Sequence, residues 1–155
     1  MIPVEQTNYG KHKGNCLTAC VASLLEVPIS SIPEFCVDGE WFERLHKFCE
    51  ENGFFLLYWR HTENMPMLAL GAYIILLLQL EGEDDYHTVV GKTVLDYKTP
   101  ITDAEVENCF ALTELAGAKV GDIRWAWKTE LVHDPNTRGY PTVVGPVGYI
   151  MIGKQ

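Results

Sequence analysis

The chain has 155 residues, 47% apolar and 11% aromatic, enough for one domain with a real core. Its formal net charge of −9 at pH 7 argues against nucleic acid and anionic membrane surfaces as primary partners. The longest apolar run, residues 68–80, is too short to span a bilayer and is broken by Gly71 and Gln79.

Residues 1–13 carry Gln6, Asn8, Lys11 and His12 and read as extended or irregular, with no signal-peptide pattern at the start. The five cysteines, Cys16, Cys20, Cys36, Cys49 and Cys109, are odd in number, so free thiols in a reduced, cytoplasmic setting are expected. No second Cys/His pair repeats the Cys16–Cys20 spacing as a zinc motif would, and no metal or other cofactor is expected.

A first helix is predicted over residues 15–26. Leu17, Cys20, Val21, Leu24 and Leu25 form the stripe of a helix with one buried face. Gly14 provides the turn and Asn15 the N-cap, which puts Cys16 at the first helical position. There the free N–H groups and the helix dipole favour a thiolate. Cys16 is expected to be partly exposed and Cys20, one turn later, buried.

Residues 29–35 suggest a short helical turn. A second helix is predicted over 39–52 from Trp41, Leu45, Phe48 and Cys49, with Gly53 as C-cap and His46 on its polar side. The pattern then turns to strand at 54–60 and at 72–80, the latter apolar enough to be covered on both faces. An acidic loop, 81–85, precedes a short strand, His87-Thr88-Val89-Val90. Gly91-Lys92 could form a two-residue turn that returns residues 93–97 beside it. Thr102 and Glu105 form a capping box for a third helix ending near Leu115. Residues 123–132 read as strand with a break around Lys128, 133–136 as a turn, and 148–152 as a closing strand. Trp59, Trp125, Trp127 and Tyr58 could line a cleft or fill the core, and core is the favoured reading. Helices come first and strands follow, so the fold class is α+β with the helices packed on an antiparallel sheet.

A thiolate nucleophile needs a base and a group that orients the base. His12 and His61 lie in polar segments, His46 on a helix face, and His133 beside Asp134. His87 opens a Val-rich strand that would hold it rigidly, and its place after a helix that begins with cysteine raises it above a packed strand histidine as a candidate.

The run from Gly14 to Leu25, followed by Val27-Pro28-Ile29 and Ile32-Pro33, resembles the N-terminal helix of small papain-like cysteine-peptidase-fold proteins. It is similar to bacteriocin-leader peptidases, and closer to a group of small papain-like proteins of bacterial and phage genomes. In that group a His-small-Val-Val strand and a His-Asp-Pro turn follow, as do His87 to Val90 and His133-Asp134-Pro135 here. Pro3 to Thr7 also looks like that group. The resemblance implies one papain-like domain over residues 1–155, with Cys16 as nucleophile, His87 as general base and an Asp as orienter. It also implies a Gln near the oxyanion. Gln6 is the only Gln upstream of Cys16, at a longer spacing than the family's, and the Cys16 N–H is a second donor.

One departure concerns spacing. The family's Asp-Pro follows the His by about a dozen residues, whereas Asp134 is 47 residues after His87. Removing residues 93–128 joins Lys92 to Thr129 and restores the family spacing, so 93–128 is read as an insertion carrying a helix. Asp96, opposite His87 in a tight hairpin, is the competing orienter; Asp134 is favoured.

The expected activity is cysteine-dependent hydrolysis of an amide or isopeptide bond in a peptide or protein substrate, with acyl transfer to an amine open to the same site. The alternative is a catalytically silent papain-like binding protein, for example a phage factor that sequesters a host protein or small molecule.

Overall fold

The computed structural model describes residues 1–9, 14–37, 39–60, 71–82, 86–100, 125–138 and 143–154, with the backbone alone described for 95–100 and 125–128. Helix α1 (Cys16–Leu25) is followed by a 3-10 turn (Ile29–Ser31) and helix α2 (Trp41–Glu51). Strands β1 (Phe54–Arg60), β2 (Tyr73–Leu80), β3 (Tyr86–Pro100), β4 (Trp125–His133) and β5 (Val143–Lys154) complete the described fold. Over the described residues the protein is α+β: two helices packed on a five-stranded antiparallel sheet of order β1-β5-β2-β3-β4.

The helices end where local chemistry stops them. Glu26 takes a left-handed conformation (φ 59°) and its N–H closes on Ala22 O, just before Pro28. Gly53, at φ 71°, follows α2 and turns the chain directly into β1. Leu17, Cys20 and Val21 of α1 and Leu45 and Cys49 of α2 pack with Ile32 and Phe35 on Ile75, Leu77, Val90 and Ile150 of the sheet. Trp59, Ile74 and Tyr149 form a second buried cluster with Leu76 and Met151. Adjacent residues Ile74 and Ile75 are both fully buried, so β2 is covered on both faces there, as its continuous apolar run predicts.

Three strand expectations change. First, no turn forms at Gly91-Lys92: β3 runs straight through, with Gly91 paired to Ile74 on one side and Leu131 on the other. Gly91 is there for space. A Cβ on it would fall 2.3 Å from Thr129 Cγ2 and 2.5 Å from Leu76 Cδ1. Second, β4 has no break at Lys128, which pairs with Val94; the irregularity comes at Val132, between the Val90–His133 and Gly91–Leu131 pairs. Third, β5 is longer than its apolar core because it is a central strand, paired to β1 and β2. Pro146, which cannot donate to the ladder, sits beside the register shift at Leu77/Leu78.

The two ends of the segment read as an insertion, 93–100 and 125–128, extend the β3–β4 ribbon along the sheet edge, with Thr93 opposite Thr129 and Asp96 opposite Ala126. The helix expected at 102–115 lies outside the described residues.

Candidate active site

Cys16 is the first residue of α1. Asn15 makes no side-chain cap to the helix. Its side chain instead holds residues 1–8, which run as a strap along α1. Asn15 Oδ1 accepts from the N–H groups of Thr7 and Asn8, both at 3.0 Å, and Nδ2 donates to Thr7 Oγ1 and Glu34 Oε1. Further along, Ile2 N donates to Ser23 O and Val4 N to Ser23 Oγ. The strap also reaches the turn after β4: Gln6 N donates to Pro135 O at 3.0 Å, and His133 Nε2 donates to Val4 O at 2.9 Å. The start of the chain therefore ties the helix that carries Cys16 to the turn that carries Asp134.

His87 lies at the start of β3, and its side chain is hydrogen-bonded to that of Cys16. On the other side, His87 Nε2 is 2.8 Å from Asp134 Oδ1, with only 6% of the histidine side chain exposed. That leaves Nδ1 for the thiol. Asp134 Oδ1 also accepts the N–H of Asn136 at 2.8 Å, which fixes the carboxylate within its turn.

The bulge in β4 decides which residue meets the histidine. Opposed residues in an antiparallel pair share a face. Continuing the register past His133 sets Asp134 opposite Val89, on the same side of β3 as His87. If Val132 instead paired regularly with Val90, with no bulge, Asp134 would fall opposite Thr88, on the other side. Asp96, the competing orienter, lies nine residues along the same strand as His87. At roughly 3.3 Å per residue that is about 30 Å away. With no turn at Gly91-Lys92, the tight hairpin that would have made it the partner does not exist, and Asp134 is the carboxylate bonded to His87.

The thiol is more enclosed than expected: Cys16 retains 9% exposure, because His87 and Thr88 of β3 close over it. Burial raises its pKa, but the hydrogen bonds from His87 and Thr88 and the charge of His87 outweigh burial and bring it below the usual thiol value. Burial lowers the His87 pKa, and the bonds and charges of Asp134 and Cys16 overcome this and lift it to about 9. Both shifts favour a thiolate beside an imidazolium. Cys20 is fully buried, as its stripe position predicts. Its thiol donates to Thr88 Oγ1 at 3.7 Å, and burial pushes its pKa well up.

Gln6 is buried, at 6% exposure. Its Nε2 donates to Asn8 O at 3.2 Å, and its Oε1 has no hydrogen-bond partner. Thr88, Asn15 as a clamp, and His133 as the link to the strap were not singled out by sequence reasoning for these roles. Thr88 had a signal: it is the one polar residue between His87 and two valines. His12 and His61 lie outside the described residues. His46 is half exposed, 3.5 Å from Glu50 on α2. Among the described residues no group of three or more His, Cys, Asp or Glu side chains could hold a metal ion, and no helix is long and apolar enough to cross a membrane.

No family model, curated protein or solved structure matches the chain.

Proposed function

We propose that this protein is a cysteine hydrolase of papain-like organisation that cleaves an amide or isopeptide bond in a peptide or protein. The observation that carries the reading is the chain of contacts Cys16–His87–Asp134, with His87 2.8 Å from Asp134 and bonded to Cys16 through its side chain. The Cys16 thiolate attacks the substrate carbonyl carbon and the electron pair moves to its oxygen. The His87 imidazolium gives its proton to the leaving amine as the C–N bond breaks, which leaves an acyl-thioester. His87 then takes a proton from water, whose oxygen attacks the thioester carbon; the C–S bond breaks, the acid is released, and Cys16 is left as thiolate beside the His87 imidazolium. An amine in place of water gives acyl transfer by the same steps. Asp134 holds the imidazole ring and stabilises its charge. The Cys16 N–H, at the helix start, and Gln6 Nε2, which keeps a second proton beyond its bond to Asn8, are the oxyanion donors in this reading.

The first test is alkylation with chloroacetamide at pH 7, read by mass spectrometry at each cysteine. Cys16 is expected to react first, and His87→Ala to remove that advantage. Reaction of Cys16 no faster than the more exposed Cys36 overturns the reading. The 9% exposure of Cys16 favours one alternative, a silent binding protein of the same organisation, and that result would favour it too.

A further inference from the structure

Beside the strap lies an open cleft of about 440 Å³ lined by Thr7, Asn8, Tyr9 and Arg138. Both walls are wired to the residues described above. Thr7 and Asn8 are held by Asn15, the neighbour of Cys16. The Arg138 N–H donates to Asn136 Oδ1, and the Asn136 N–H donates to Asp134 Oδ1. The Arg138 guanidinium lies 3.9 Å from the centre of the Tyr9 ring, and Tyr9 Oη is 3.5 Å from Thr137 Oγ1.

Stacking on tyrosine occupies the face of the guanidinium and leaves its N–H edge to bind a planar anion through two parallel bonds. No described carboxylate takes that edge, in a chain with nine more acidic than basic residues. Thr7 and Asn8 give the cleft polar walls, which suit a charged group better than an apolar side chain. We infer that the Tyr9–Arg138 cleft is a substrate subsite for a carboxylate, so that the bond cleaved lies near a chain end or an acidic residue. The inference deepens the hydrolase reading and rests on it.

The test compares alkylation of Cys16 by three reagents: N-chloroacetylglycine, its neutral amide, and N-chloroacetylglutamic acid α-amide. In each the thiolate displaces chloride. One of the acids is expected to react about fivefold faster than the neutral amide. A fast glycine reagent points to a terminal carboxylate, and a fast glutamyl reagent to an acidic side chain. Arg138→Gln should bring the ratio close to one, whereas Lys47→Gln, which removes a charge on exposed α2, should leave it as it is. A ratio that survives Arg138→Gln overturns the subsite. Slow alkylation by all three reagents counts against the hydrolase instead. The subsite is then judged on the Cys16→Ala protein by titration with N-acetylglycine and N-acetylglutamic acid α-amide, followed by NMR at the Arg138 Nε–H. No shift with either acid overturns it.

Discussion

The first two turns of α1 carry one cysteine each, and their environments part company. Cys16 and Cys20 are both withdrawn from water, and Thr88 touches both. Burial pushes both thiols up. Cys20 has nothing to offset it except one bond to Thr88, and the charges of Cys16 and Asp134 raise it further. Cys16 has His87, itself charged through Asp134, and moves the other way. Burial alone raises a thiol's pKa; burial beside a cation held by a carboxylate is offset, and the pKa falls.

The largest expected effect comes from removing the difference between the two turns. In His87→Ala burial acts alone on Cys16, and its alkylation rate at pH 7 should fall roughly 100-fold, toward that of Cys20. Activity on an amide substrate, once one is found, should fall by roughly 10⁴-fold or more. Circular dichroism checks that the variant is folded. A folded variant with wild-type Cys16 reactivity would break the comparison outright.

Next in size is the carboxylate. Asp134→Asn should slow Cys16 alkylation about tenfold and move the alkaline limb of its pH profile down from about 9, the His87 value. Asp96→Asn should do neither.

The same pair has a thermodynamic signature. The folded pKa of His87 is raised above 6.5, so its contribution to stability is complete below pH 6.5 and is lost as pH rises through about 9. The melting-temperature gap between the wild type and Asp134→Asn should therefore be widest near pH 6 and nearly closed at pH 10. A gap that grows with pH would reverse the sign of the linkage.

The smallest effect concerns the strap. His133→Ala loses the bond to Val4 O and leaves that carbonyl to water or unpaired, a cost of about 1 kcal/mol in thermal or urea unfolding. Cys16 alkylation should slow about twofold, because Gln6 N still ties the strap to Pro135. A loss as large as that of His87→Ala would mean that His133, not His87, sets the contrast between the two turns.

Local pattern was enough for much of the fold. The stripe of α1 put Cys16 at a helix start and Cys20 in the core. The aromatic run 54–60 matched β1 to the residue, since Gly53 punctuates it, and the apolar run 72–80 matched β2 within one residue. These features depend on neighbours a few positions apart, which hydrophobic periodicity and turn chemistry report directly. Pairing was not local in this sense. Gly91-Lys92 has the chemistry of a turn, yet it became mid-strand, paired with Tyr73 and Ile74 on one side and Glu130 and Leu131 on the other. That choice moved Asp96 about 30 Å along β3 and left the base of the β3–β4 ribbon to bring Asp134 to His87. The enclosure of Cys16 and the strap joining α1 to the Asp134 turn follow from contacts between distant parts of the chain. A one-residue shift at Val132 reverses which face a side chain takes, and only the paired strands carry that information.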